Sequence, residues 1–167
     1  MLQQLVADGS MRPVSGTAFA VTPTLRESYA EGDDDELAEV ALREAALASI
    51  RLLAADGVGG QERSDPGNGT ATLPSRRVVL VAEVTEAAVR PDLDDAVVRL
   101  AGPVGTSDVL AAYVDNATAE AAVVDAMAVV DAADMGDEDA ELTVGDAMDH
   151  DLAWYATQEL PFLLELL

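Results

Sequence analysis

His150 is the one histidine of the chain, and Asp151 follows it at once. A metal-dependent hydrolase built on His-Asp pairs needs several histidines, so this pair cannot assemble such a centre by itself. There is no H-E-x-x-H, no set of three histidines for zinc and no G-x-S-x-G elbow. A phosphate-cradling P-loop needs lysine, and the chain has none. Gly57-Val-Gly59-Gly60 precedes a strand pattern instead of following one, which is the wrong order for a dinucleotide fingerprint. The acidic run Asp134-Met-Gly-Asp137-Glu138-Asp139-Ala-Glu141 invites calcium, but an EF-hand loop requires glycine sixth and glutamate twelfth. Counted from Asp134 those places hold Asp139 and Gly145, and counted from Asp137 they hold Leu142 and Met148. Neighbouring carboxylates such as Asp94-Asp95 or Asp149 and Asp151 could share acid and base roles. With 32 acidic residues in 167, however, such pairs arise by chance. The expectation is therefore no catalytic set, no resident metal and no cofactor.

The residues that do stand out are aromatic and polar. Trp154 is the only tryptophan, and Trp154-Tyr155 holds two of the six aromatics, with Gln158 and Glu159 close behind. A second group is Arg26, Glu27 and Tyr29. Together, Arg26, Glu27, Tyr29, Trp154, Tyr155, Gln158 and Glu159 form the candidate ligand or interaction patch, provided the strand end carrying Trp154 meets the helix carrying Arg26. The plainer alternative has Trp154 plugging the core with Tyr155 half exposed on the other strand face.

Composition narrows the function classes further. The chain carries nine arginines and 32 carboxylates for a formal net charge of -23. A potential that negative disfavours direct contact with nucleic acid or an anionic membrane. The absence of cysteine removes disulfides, thiolate metal sites and thiol nucleophiles. Apolar residues make up 50% of the chain, enough to bury a core, although only 4% is aromatic because alanine and valine dominate. No uninterrupted apolar stretch reaches the length of a membrane span, and the N-terminus lacks the basic start and apolar core of a signal peptide, so a cytoplasmic protein is expected. An arginine-only, Ala/Asp-rich composition fits either a GC-rich genome or a high-salt cytoplasm.

The elements that must position these residues read as follows. Leu2, Leu5 and Val6 share one helical face over residues 2–8, which Gly9 stops. Thr17–Val21 reads as a short buried strand. Pro23 suits a first helical position, and Thr24 with Glu27 suggests a capping box. Asp33-Asp-Asp-Glu36 places carboxylates at a helix N-terminus. The helix that follows should run over about 33–56, mostly buried, and stop at Gly57. Residues 57–75 read as a mobile Gly/Ser/Pro-rich loop. Arg76–Val84 has a continuous apolar centre, which predicts a strand buried on both faces. Further strands are expected at 96–101, 109–115 and 152–156, with an amphipathic helix at 117–134 that turns Val123, Met127 and Val130 inward. Residues 135–146 read as an acidic loop with one short strand at Leu142–Val144, and Thr157 as the cap of a last helical turn. Interleaved helices and strands predict α/β, with α+β the close alternative: one globular domain over 1–167 with a single mixed sheet packed by helices.

Several strings resemble a known family. Ala18-Phe-Ala-Val-Thr-Pro-Thr-Leu-Arg-Glu27, Ala48-Ser-Ile-Arg-Leu-Leu53, Arg76-Arg-Val-Val-Leu80 and above all Trp154-Tyr-Ala-Thr-Gln-Glu-Leu-Pro161 are similar to DUF6912, a family of uncharacterised actinobacterial proteins. The resemblance spans nearly the whole chain. It implies an actinobacterial cytoplasm and no particular activity. Family members begin with a short strand of the type R-V-Y-I-P-A-T, whereas here Met1 falls directly at the first helix. Either the start codon is misassigned or this member has lost the strand; its loss would leave a neighbouring strand unpaired and invite dimerisation or aggregation, so a homodimer is one expectation about partners.

Two functions follow from these residues. The first is a non-enzymatic protein-interaction or regulatory module with a basic protein partner, its sharpest form a nucleic-acid mimic. The alternative is an enzyme or small-ligand binder with a pocket near Arg26 and Trp154–Glu159.

Overall fold

The computed structural model describes residues 2–29, 31–61 and 74–166. The expected mixture of helix and strand is present. In place of one mixed sheet, the strands form three small antiparallel sheets. Their ladders are short: β1 (Ser10–Met11), β2 (Thr17–Phe19), β4 (Ala87–Val89) and β6 (Val104–Gly105) are two or three residues long. β1 pairs with β6, and β5 (Val97–Leu100) lies between β2 and β4. β3 (Val78–Ala82), β7 (Val109–Asp115) and β8 (Leu152–Ala156) make the third sheet, in that order. β3 is an edge strand, and it is not buried on both faces as expected: Val79 is buried, Val81 is exposed and its other residues are half-buried, while Val84 beyond it is exposed.

Backbone contacts divide the chain into two compact units, the described residues of 1–45, 79–112 and 154–166 in one and those of 46–78 and 113–153 in the other. In the first, Leu25, Leu37, Ala41 and Ala96 form a core flanked by Phe19, Val21 and Val40. Helix α1 (Leu2–Asp8) buries Leu2 and Leu5. Helix α2 (Pro23–Ser28) is capped by Thr22, not Thr24. The Thr22 hydroxyl accepts the Leu25 N–H at 3.0 Å and donates to the Asp95 carbonyl, and Pro23 takes the first helical position, where its missing N–H costs nothing. Helix α6 (Leu160–Leu166) follows a 3₁₀ turn at Thr157–Glu159. Thr157 does not cap it: its hydroxyl donates to the Val109 carbonyl at 2.8 Å.

Helix α3 (Asp34–Gln61) starts on a capping box: the Asp33 carboxylate accepts the Asp35 and Glu36 N–H groups, and Glu36 reaches back to the Asp33 N–H. It passes Gly57 because that glycine does not adopt the left-handed conformation that ends a helix. Of the loop expected at 57–75, residues 57–61 therefore extend the helix, 74–77 are irregular and 62–73 lie outside the described residues.

In the second unit, Ile50 packs with Ala119, Val123, Ala126 and Val130 of the helical segment ending in α4 (Glu120–Asp134) and with Val144 and Ala147 of α5 (Glu138–Met148). α5 replaces the acidic loop and strand expected at 135–146. Asp137 accepts the Ala140 N–H at 2.9 Å, Glu138, Asp139 and Glu141 occupy the first turn, and Ala140, Val144 and Ala147 recur at helical spacing on the buried face.

Candidate functional site

Among the described residues, the buried polar side chains Thr22, Ser49, Arg77 and Asp115 are engaged with one another or with backbone. Arg77 and Asp115, from the ends of two strands, are both buried. Asp115 Oδ1 accepts Arg77 Nη2 at 2.7 Å, and Oδ2 accepts Nε at 2.9 Å and the Arg77 backbone N–H at 2.7 Å. Arg77 Nη2 also donates to the His150 carbonyl at 2.7 Å, and Nη1 reaches the Met148 sulfur at 3.4 Å. Nearby, Ser49 Oγ accepts the Val78 N–H at 3.1 Å. His150 thus contributes its carbonyl to a fastening network. Sequence reading passed over Arg77 and Asp115, although an arginine opening an apolar strand and an aspartate closing another are a visible signal. Among the described residues, no group of three or more His, Cys, Asp or Glu is placed to hold a metal ion.

The seven candidate residues all belong to the first unit. Arg26 and Glu159 have separate partners. Arg26 forms an exposed ion pair with Asp34, whose hydrogen bond raises the guanidinium above its ordinary value and holds the Asp34 carboxyl below the usual carboxylate range. Glu159 accepts the Ala156 N–H at 2.8 Å. Glu27, Tyr29 and Gln158 are exposed and Tyr155 is half-buried. Two open depressions, one beside Glu86 and Arg99, the other beside Arg12 and Gly16, are lined by none of the seven.

Trp154 does not plug the core: 58% of it is exposed. The other four residues of β8, on both of its faces, are half-buried, so Trp154 is the exposed residue of that strand. On β7, the next strand of the sheet, Leu110 is 57% exposed between buried Val109 and Ala111. Exposed Val81 stands on β3. Each of the three adjacent strands therefore offers one large apolar side chain to solvent. Single exposed apolar residues are ordinary, but a lone tryptophan with apolar company on one sheet is the kind of surface that partners bury.

A model of a family of unknown function, DUF6912, matches residues 1–164. The chain belongs to the DUF6912 family. The match includes the Trp154–Pro161 string, so in this family member the family-like tail supplies the exposed tryptophan and the turn closed by Glu159. No curated protein and no solved structure gives a significant match to the chain. Among the described residues, no helix is long and apolar enough to cross a membrane.

Proposed function

We propose that this DUF6912 member is a cytoplasmic, non-enzymatic interaction module that engages a basic protein, with the sheet surface around Trp154 as a contact. The observation that carries the proposal is the exposure of the sole tryptophan on a chain of net charge -23. Among the described residues, five arginines are held in ion pairs, with Asp34, Asp134, Glu120, Asp115 and Asp92. Such pairing leaves the net charge untouched, so the anionic excess is free to steer a cationic partner. An indole face also attracts Arg or Lys directly, by about 0.5–1 kcal/mol at an exposed site. Like-charged copies repel, which favours a different protein over a second copy.

The test is affinity purification from the native host at low and high salt, with wild type and Trp154→Ala. Recovery of basic proteins that dissociate in high salt, and that bind less to Trp154→Ala, supports the proposal. Partners that ignore salt, or the lack of any, would sink it.

A further inference from the structure

Helix α5 offers a second surface in the other unit. Leu142 is 70% exposed at its centre, and Met135, just before it, is 83% exposed. Helix geometry sets Glu138 and Asp139 one turn before Leu142 and Asp146 one turn after it, all three exposed, with Glu141 beside them. The inner face of α5 is already committed to the core through Ala140, Val144 and Ala147, so Leu142 has no packing role there. No arginine occurs anywhere after Arg99, and the chain has no lysine. The described cations that reach α4 are Arg51 on Asp134 and Arg76 on Glu120, and neither carboxylate belongs to the frame around Leu142. An apolar knob whose frame, among the described residues, is anionic is complementary to one kind of surface: apolar side chains set among Lys and Arg.

We infer that the outer face of α5, with Leu142 as its apolar anchor and Glu138, Asp139 and Asp146 as its charged rim, docks a cationic amphipathic segment of the partner protein. The inference rests on the basic-partner proposal above and adds where and how such a partner is held. The rim supplies salt-dependent attraction to any cationic chain. Leu142 supplies selection, because burying a leucine against apolar groups favours an amphipathic segment over an equally charged polar one.

The test uses the full chain and two labelled synthetic helix-forming peptides followed by fluorescence anisotropy. One carries leucines at every third and fourth position among arginines; the other has serine in place of each leucine. Wild type should bind the leucine peptide about tenfold more tightly than the serine peptide. Leu142→Ser, an exposed substitution whose fold is checked by circular dichroism, should abolish that preference while keeping the salt-dependent binding. Trp154→Ala should leave the preference intact. Equal affinity of wild type for both peptides, or a preference that survives Leu142→Ser, overturns the docking role of α5 but leaves the wider proposal standing on Trp154. Failure of both peptides to bind even at low salt overturns the two together.

Discussion

Arg77 and Asp115 clasp each other inside the protein: side-chain hydrogen bonds of 2.7, 2.9 and 3.2 Å join the guanidinium to the carboxylate. The same carboxylate also takes the Arg77 backbone N–H. Four bonds to one aspartate, plus the His150 carbonyl on the arginine, compensate for withdrawing two charges from water. The clasp ties the start of one strand to the end of its neighbour and to His150, two residues past α5.

Breaking this clasp should be more damaging than removing it. Arg77→Met or Asp115→Leu alone strands a buried charge and should cost about 3–5 kcal/mol in urea denaturation. The double variant should cost clearly less than the two singles added, because no uncompensated ion remains. Additive losses would show that the pair is not coupled.

Salt should raise the melting temperature. Screening weakens the five ion pairs found among the described residues, yet four of those are exposed or partly exposed, where solvent already screens most of the attraction. Repulsion within a net charge of -23 acts across the whole chain and fades once the screening length falls to about 10 Å near 0.1 M. Calorimetry from low to moderate salt should show a rise of a few degrees; a flat or falling trace would contradict this.

Acid should remove the contribution of three surface carboxylates. Hydrogen bonds from Arg26, Arg90 and Arg51 hold Asp34, Asp92 and Asp134 below the usual carboxylate range. A carboxylate with a lowered folded-state pKa stabilises the fold above its unfolded value near 3.9, and that contribution disappears as pH falls through the folded value. Asp134→Asn should therefore be less stable than wild type at pH 6, by roughly 0.5 kcal/mol after allowing for solvent screening. The difference should shrink toward zero as the pH falls through the folded-state value of Asp134. A constant gap across the titration would refute the assignment.

Two glycines should respond in opposite directions to alanine. Gly16 has φ of +67°, and an added Cβ would lie 2.8 Å from the Leu100 carbonyl oxygen, so Gly16→Ala should cost about 1–3 kcal/mol. Gly145 sits inside α5 with nothing within 4 Å of the added carbon. Gly145→Ala should stabilise by about 0.5–1 kcal/mol. Thermal unfolding of both variants checks the pair of signs.

What was legible in the sequence was local. Leu2–Asp8, the Asp33–Glu36 helix start, the strand Val109–Asp115 and the strand around Trp154 each carry their periodicity or capping signal within a few residues. The α5 helix was legible too, in the Asp137 cap and the Ala140, Val144, Ala147 spacing, but its many acidic residues masked that pattern as a loop. What required tertiary structure was every question of which face is covered. Strand alternation says that neighbours point oppositely; it does not say that Trp154 points out, that β3 is an edge, or that Arg77 turns inward to meet an aspartate 38 residues later. Those outcomes depend on which segments pack against each strand, and burial is a property of the partners a residue meets, not of the residue.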